Sequence, residues 1–333
     1  MASERHAIIR GTGAYVPEKR LTNHDLEKLV DTSDEWIRSR VGIVERRIAD
    51  DSVASSDLGA KAAERALEAA GVDREEVDLV LCSTVSPDMI FPSTACLISR
   101  ALGIEHRVPA MDLAAACAGF SYALHMANGL IKSGMHKTIL VTAAEMLTRH
   151  VDWTDRATCV LFGDGAGAAV VQAGDPSEGG ILHTSIGAES IYADPQLLGI
   201  PAGGTRMPPT AETVANGDHY IKMEGRKLFK IAMSMMPEVV KDTLAEAGMT
   251  MDDIKLLVPH QMNMRIVANF ADRLDIEMER IYVNVDRYGN TSSASVIIAL
   301  NEAIERGRVG PGDKVFLITF GAGWTWGANI IQL

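Results

Sequence analysis

The sequence predicts a layered α/β protein made of two similar halves. Near-continuous apolar runs such as Val77–Ser83 are typical of strands that are buried on both faces of a parallel sheet. Amphipathic helices, of which Ser55–Ala70 is the clearest, alternate with these runs. The strand and helix patterns of the first half also return in the second half. These three observations favour an architecture in which helices pack on sheets.

The composition is that of an ordinary globular protein of 333 residues, with 47% hydrophobic and 23% charged residues. This length is enough for two domains or halves. The formal net charge of −12 argues against a general nucleic-acid binder, because phosphate contacts need a basic surface. The amino terminus has no export signature, and no apolar run is long enough to span a membrane. We therefore expect a cytoplasmic protein that contacts neither nucleic acid nor membrane.

The cysteines form no CxxC pair and have no metal-ligand spacing with nearby histidines. They are Cys82, Cys96, Cys117 and Cys159. We expect free thiols in a reducing compartment and no bound metal.

The first half begins with a strand that runs from Ala7 into Gly11-Thr12-Gly13. A dinucleotide-binding turn is not favoured here, because no third glycine opens a helix and Pro17 interrupts the pattern. The further predicted elements are helices at 32–40, 55–70, 94–102 and 117–133, strands at 77–83, 108–113 and 137–142, and a glycine-rich strand at 160–171. The glycines of that last strand favour close backbone packing rather than phosphate binding, since neither a helix nor a lysine follows them.

The second half opens with a segment at 187–217 that is rich in proline and glycine and predicts a long surface loop. A helical pattern follows at 224–247 and ends at Gly248.

An internal duplication relates the two halves. Residues 66–81 resemble residues 243–258, and the strand at 137–141 resembles the one at 314–318 with the same spacing. A helix ending at Gly134 also matches one ending at Gly307, and this second alignment sets Asn290 opposite Cys117. We assign residues 1–175 to the N-terminal half and residues 176–333 to the C-terminal half.

Cys117 is the candidate nucleophile, because it stands where a strand-like segment gives way to a helix. Unpaired N–H groups and the dipole at a helix start favour a thiolate. A lone cysteine among alanines is more often a small buried hydrophobe. The choice between a reactive and a structural Cys117 therefore depends on residues of the C-terminal half. There, His260 follows the strand that matches the one ending at Ser83. Since ligand sites in such sheets lie at strand ends, we expect Cys117, His260 and Asn290 to share one pocket.

Three ordered motifs resemble those of beta-ketoacyl-acyl carrier protein synthase III, a family of condensing enzymes with the thiolase fold. They are AAACAGF at 114–120, VPHQMN at 258–263 and YGNTSSAS at 288–295. The segments FGDGAG at 162–167 and FGAGWTWG at 320–327 also look like that family. The resemblance runs nearly end to end, and it implies a layered αβαβα architecture.

The resemblance implies the initiating condensation of bacterial type II fatty acid synthesis. Cys117 would take an acyl group from acyl-CoA as a thioester. Malonyl-acyl carrier protein would then lose CO₂, and its carbanion would attack the acyl group to give a 3-ketoacyl product. His260 and Asn290 would stabilise the enolate, and the backbone N–H groups of Cys117 and Ala322 would form an oxyanion hole. Many relatives carry glycine where Ala322 stands. The resemblance implies no cofactor, since acyl-CoA is a substrate.

The same resemblance assigns the residues that bind substrates and partners. The adenine of CoA would lie at Trp36 and Arg156, which offer flat stacking surfaces, and the other CoA contacts would be Thr32, Arg40 and Asn263. Phe91 and Phe162 would wall the acyl pocket, with Phe91 reaching across the interface of a homodimer. The acidic carrier protein would dock on a basic patch formed by Arg226, Lys230, Arg265 and Arg273.

Several alternatives remain at this point. A biosynthetic thiolase would need a second cysteine at 320–333, and an elongating synthase would have a histidine in place of Asn290. A quinolone-type or polyketide-type synthase stays open, because it shares the Cys/His/Asn set and differs mainly in pocket shape. A Rossmann dehydrogenase would rest on Gly11–Gly13 alone, and a non-catalytic acyl-CoA-binding protein would require an inert Cys117. The sequence leaves the preferred acyl-CoA primer open.

Overall fold

The computed structural model describes residues 5–333 and contains both helices and sheets. Its strands are β1 (His6–Tyr15), β2 (Arg20–Thr22), β3 (Glu45–Arg47), β4 (Leu79–Ser83), β5 (Ala110–Leu113), β6 (Thr138–Met146), β7 (Asp164–Gly174), β8 (Gly180–Ala188), β9 (Leu198–Gly199), β10 (Lys222–Met223), β11 (Leu256–Pro259), β12 (Lys314–Gly321) and β13 (Thr325–Gln332). Its α-helices are α1 (Asn23–Leu26), α2 (Asp34–Val41), α3 (Ser55–Ala70), α4 (Thr94–Ala101), α5 (Gly119–Lys132), α6 (Arg156–Cys159), α7 (Ala211–Ala215), α8 (Gly225–Glu246), α9 (Met264–Leu274), α10 (Val285–Tyr288) and α11 (Ala294–Glu305).

Two sheets repeat one topology. The first has the order β1-β7-β6-β4-β5, in which β4 is parallel to β5 and β6 while β7 is antiparallel to β6 and β1. The second has the order β8-β13-β12-β11, in which β11 is parallel to β12 while β13 is antiparallel to β12 and β8. Four strands thus correspond in order and direction, and the duplicated architecture is confirmed. The boundary at residue 175 stays a prediction.

Five layers form the core, in the order αβαβα. The central layer consists of α5 and α11, whose Phe120 and Leu300 are fully buried among side chains from both sheets. α3 and α4 cover the outer face of the first sheet, and α8 and α9 cover the outer face of the second. Because both central helices are apolar on nearly every side, they cannot be solvated and must lie between sheets.

Close backbone packing explains the glycines of β1 and β7. A methyl group at Gly11 would lie 2.8 Å from the Ala66 carbonyl oxygen of α3. A methyl group at Gly165 would lie 2.9 Å from Ile298 Cδ1 of α11. Gly11-Thr12-Gly13 therefore lies inside β1 beneath a helix, as the packing interpretation predicts, rather than in a phosphate-binding turn.

Two sequence predictions need correction. Residues 160–163 are not part of the glycine-rich strand, because β7 begins at Asp164 and these residues turn toward the second half. The predicted loop at 187–217 is partly ordered structure, since it contains α7 and also β9, which pairs with β10. Leu197 of this segment is buried, so apolar contacts fold it onto the protein.

The cysteines are free, as predicted; Cys96 is exposed and the other three are buried. Within residues 5–333, every helix is too short or too polar to cross a membrane.

Candidate active site

One cavity between the two halves brings the predicted catalytic side chains together. Cys117, His260 and Asn290 all line it, and its volume is about 370 Å³. Most of the other lining residues are apolar. A concave, mainly apolar site with a few convergent polar groups is typical of a small-molecule site.

Cys117 lies in a single 3₁₀ turn, Ala116–Ala118, that leads directly into α5. The position at a helix start is therefore the one that the sequence predicts. Ala116 has a φ of 47°, in the left-handed region that costs a residue with a Cβ about 1–2 kcal/mol. This turn directs the cysteine into the cavity and leaves 9% of the residue exposed.

The charge state of Cys117 differs from the expectation for a helix start. Burial raises the pKa of its thiol to about 12, and the negative charge of Glu145 also raises it. The Ser292 hydroxyl lies close enough to lower the thiol pKa in part. The desolvation of Cys117 thus affects its thiol pKa more than the helix N-terminus does, and the resting sulfur is a thiol at neutral pH.

His260 follows β11, and its backbone N–H donates to the Ile318 carbonyl of β12 at 2.7 Å. Burial lowers the pKa of its imidazole to about 3, so the ring is neutral at pH 7. Its Nδ1 lies 2.6 Å from Ser295 Oγ. Its Nε2 makes no hydrogen bond to any residue among 5–333, and His260 lines the cavity.

Asn290 is held by residues from the opposite half of the chain. Its backbone N–H donates to the Leu161 carbonyl at 2.8 Å, and its carbonyl accepts from the Gly163 N–H at 3.1 Å. Its side-chain Oδ1 accepts from the Ser292 N–H at 2.8 Å. Because a backbone N–H can only donate, this bond fixes the amide orientation and leaves the Nδ2 hydrogens for a ligand.

The two amides predicted for the oxyanion hole belong to neighbouring segments. A methyl group at Gly321 would lie 2.6 Å from the Cys117 backbone nitrogen, so the end of β12 packs directly against the candidate nucleophile. Ala322 is the next residue and lines the same cavity. The structure therefore brings Ala322 to Cys117.

Glu145 is a buried carboxylate that sequence reasoning missed. It lies near the end of β6 and accepts hydrogen bonds from Val85 N–H at 3.1 Å, Ser86 Oγ at 2.8 Å and Ser293 Oγ at 2.7 Å. Burial raises its pKa, and these donors oppose the shift. Its hydrogen bonds tie the loop after β4 to the turn that carries Asn290.

Backbone strain is concentrated at this cavity. Four residues other than glycine have positive φ within the described chain, and three of them, Ala116, Ser292 and Trp324, line the cavity. The fourth, Asp275, ends α9. Strained backbone persists where surrounding structure enforces it, which is common at functional sites. The Ser292 hydroxyl is also buried and has no well-formed hydrogen bond to the part of the chain that the structure describes.

Of the five predicted CoA residues, four lie outside the cavity and one lines it. The Arg156 guanidinium lies over the Trp36 ring at 4.7 Å and donates to the Asp31 carbonyl at 2.8 Å. Thr32 is next to Asp31, and its Oγ1 is buried without a partner in the described chain. Arg40 is exposed in the last turn of α2. Of the five, only Asn263 lines the cavity, and it also caps α9 by accepting from the Arg265 N–H.

The structure separates the two phenylalanines predicted for the acyl pocket. Phe162 is buried in the cavity wall, whereas Phe91 is 82% exposed and lies outside the cavity. The apolar wall also contains residues that the sequence analysis missed, namely Leu198, Ile200, Ile221 and Met223. Leu198 and Ile200 belong to the segment predicted as a surface loop, so only tertiary packing reveals them.

The predicted basic patch is partly assembled. Arg226 and Lys230 line a shallow depression at the start of α8, together with Lys227, which sequence reasoning missed. Arg265 is exposed in the first turn of α9, which packs on α8. Arg273 is eight residues further along α9, about 12 Å away along the axis, and is separate from the others.

Comparison with known proteins identifies the family. The sequence profile described as 3-Oxoacyl-[acyl-carrier-protein (ACP)] synthase III matches residues 111–190, and its C-terminal counterpart matches residues 244–333. A curated relative from Symbiobacterium thermophilum, named beta-ketoacyl-[acyl-carrier-protein] synthase III, is 52% identical over 325 residues and covers 97% of both chains. The chain belongs to the 3-oxoacyl-[acyl-carrier-protein] synthase III family. The expected family and its class of condensing acyltransferase are thereby confirmed.

Solved structures of synthase III proteins share the fold. The crystal structure of 3-oxoacyl-[acyl-carrier-protein] synthase III from Aquifex aeolicus VF5 aligns with a TM-score of 0.90 at 44% identity, covering 98% of this chain and 100% of that one. The priming beta-ketosynthase of the R1128 polyketide pathway aligns with a TM-score of 0.90 at 33% identity, covering 100% and 98%. The thiolase-like fold is thus confirmed.

Proposed function

We propose that this synthase III initiates fatty acid synthesis by condensing an acyl group from acyl-CoA with malonyl-acyl carrier protein. The observation that carries the proposal is the convergence of a thiol, a neutral imidazole and an oriented amide in one apolar cavity. Cys117, His260 and Asn290 supply these groups. The thiol can serve the first substrate as the nucleophile, and the imidazole and the amide can serve the second substrate as hydrogen-bond donors.

In the first step, Cys117 Sγ attacks the thioester carbon of acyl-CoA and loses its proton. The oxygen of the tetrahedral intermediate accepts hydrogen bonds from the backbone N–H groups of Cys117 and Ala322. The carbon–sulfur bond to CoA then breaks, and the CoA sulfur takes up the proton. Because burial keeps the resting thiol protonated, deprotonation accompanies the attack rather than preceding it.

In the second step, malonyl-acyl carrier protein enters and its thioester oxygen accepts hydrogen bonds from His260 and Asn290. Loss of CO₂ leaves the electron pair on the malonyl carbon as an enolate, whose negative charge these two donors stabilise. That carbon attacks the acyl thioester and releases Cys117 as a thiolate, which is then protonated from solvent. A neutral His260 suits this role, since it has one N–H to donate and adds no positive charge to the resting cavity.

The substrates bind through groups around the cavity. The stacked pair Trp36 and Arg156 offers a flat cationic face for adenine, with Thr32 beside it and Arg40 for the phosphates. Asn263 contacts the pantetheine arm at the cavity rim. The carrier protein docks on the exposed cations at the starts of α8 and α9, namely Arg226, Lys227, Lys230 and Arg265.

The proposed enzyme is a homodimer. Ile90 and Phe91 are 83% and 82% exposed, which is unusual for large apolar side chains on a soluble surface. β5 is the edge strand of the first sheet, and its Met111 is also exposed. A second copy pairing along this edge would cover these side chains. The free thiols suit the reducing cytoplasm, where we place the enzyme.

The test is condensation by the purified protein with malonyl-acyl carrier protein and a panel of acetyl, branched and longer acyl-CoA primers. We expect 3-ketoacyl-acyl carrier protein in the intact mass of the carrier, and its loss in the Asn290→Ala variant. A preference for an unusual primer would favour a polyketide-type role, for which the likeness to the R1128 synthase is the supporting observation. No condensation with any primer would refute the proposal.

A further inference from the structure

We propose that Ser295 is a positioning residue that fixes the tautomer of His260, so that Nε2 carries the ring proton and presents it to the cavity. This inference rests on the proposed function, because it assigns the donor on which the second step depends. The hydrogens and acceptors around one buried hydroxyl, that of Ser295, distinguish the two tautomers.

The Ser295 hydroxyl is in the first turn of α11 and is 2% exposed. Its oxygen accepts a hydrogen bond from the Gln261 backbone N–H at 3.2 Å. Its one other partner within residues 5–333 is His260 Nδ1, at 2.6 Å. The Gln261 backbone N–H can only donate, so it cannot accept the hydroxyl hydrogen of Ser295. That hydrogen either goes to His260 Nδ1 or has no acceptor.

The two tautomers of His260 differ in what they leave unsatisfied. If Nδ1 carried the proton, it would donate to Ser295 Oγ, and the buried hydroxyl hydrogen would have no acceptor. If Nδ1 is bare, it accepts the hydroxyl hydrogen, and both Nδ1 and the Ser295 hydroxyl are satisfied. Because buried polar hydrogens are rarely left without a partner, the second arrangement is favoured. Burial keeps the ring neutral, so a bare Nδ1 places the single proton on Nε2.

Gln261 keeps this arrangement in place. Its side-chain amide donates to the Pro259 and Tyr282 carbonyls at 2.8 and 3.0 Å. Its Oε1 accepts from the Asn284 N–H at 2.9 Å. The loop that carries His260 is therefore held on both sides, and its backbone N–H at Gln261 is aimed at Ser295.

The test uses a matched pair of variants, Ser295→Thr and Ser295→Val, whose side chains have nearly the same size and differ in the hydroxyl. We expect Ser295→Thr to condense within a few-fold of the wild type and Ser295→Val to lose about 10- to 100-fold, part of the effect of removing a whole oxyanion donor. The loss should fall on CO₂ release from malonyl-acyl carrier protein more than on acylation of Cys117. Ser121→Ala, which removes a fully buried hydroxyl from α5, is the control and should condense normally.

Imidazole ¹⁵N spectra of the wild type give the tautomer directly, with the His260 signals assigned by their loss in His260→Gln. We expect a protonated Nε2, and a shift toward the other tautomer in Ser295→Val. A protonated Nδ1 in the wild type, or full condensation by Ser295→Val, would overturn the inference. The wild-type spectrum decides even if the valine variant does not fold. A wild-type Cys117 that is not acylated by acyl-CoA would refute the proposed function itself, and this result is distinct from either outcome above.

Discussion

At the residue scale, the sequence predicts candidate reactive groups but not their protonation. The helix start at Cys117 predicts a thiolate, yet burial leaves a thiol with a pKa of about 12. The difference arises because the cost of desolvating a charge depends on distant parts of the chain, which a local motif does not contain. The same reason hides Glu145 and Ser295, whose hydrogen-bond partners lie far away in sequence.

The raised thiol pKa predicts how Cys117 reacts with iodoacetamide. Because the thiolate is the reactive form and the pKa is far above neutrality, the alkylation rate should rise about tenfold per pH unit between pH 7 and 9. The measurement uses a Cys96→Ser background, since Cys96 is the exposed cysteine and would react first. A rate that reaches a plateau near pH 7 would show instead that the helix start dominates.

At the element scale, most of the fold can be predicted because its strands and helices have strong periodic patterns. Ser55–Ala70 is a helix over the predicted residues, and the duplication correctly pairs the two sheets. Prediction fails at 160–163, where hydrogen bonds to Asn290 replace pairing within the sheet. It also fails at Leu198 and Ile200, which line the cavity. The prolines and glycines near them in the sequence predict an exposed loop instead.

The contact between β12 and the nucleophile predicts the effect of Gly321→Ala. The added methyl group would lie 2.6 Å from Cys117 N and 3.0 Å from Ala116 Cβ, so either β12 or the cysteine turn must move. We expect a loss of about 1–3 kcal/mol in the free energy of unfolding, measured by urea denaturation, and slower acylation of Cys117.

Gly310→Ala is the matched control for that variant. A methyl group at Gly310 would have no atom of residues 5–333 within 4 Å, so the free energy of unfolding should change by less than about 0.5 kcal/mol. Equal stabilities of the two variants would contradict the close packing of Gly321 against Cys117.

At the scale of the whole molecule, the site is shared between the halves. Cys117 comes from the first half, while His260 and Asn290 come from the second. Leu161 and Gly163 of the first half hold the Asn290 backbone, and Glu145 of the first half holds Ser293. Duplication therefore places the proposed catalytic groups at related strand and helix ends, and the contacts across the halves orient them.

The exposed apolar surface predicts the oligomeric state. Size-exclusion chromatography with light scattering should give the mass of two chains for the wild type and of one chain for Ile90→Asp, because a buried carboxylate at the interface would be unpaired. Met135→Asp places the same charge on another exposed side chain, between α5 and β6, and should remain a dimer. A monomeric wild type would contradict the proposed homodimer.

In the proposed reaction Cys117 carries the acyl group between the two substrates, and intact mass spectrometry detects that acyl-enzyme. Mixing the protein with acetyl-CoA should add one acetyl group to Cys117, located by peptide mapping, and malonyl-acyl carrier protein should then remove it. Cys117→Ala should gain no mass, while Cys96→Ser should gain as much as the wild type. An unmodified Cys117 after exposure to the whole panel of acyl-CoA primers, or an adduct that malonyl-acyl carrier protein leaves in place, would contradict the account.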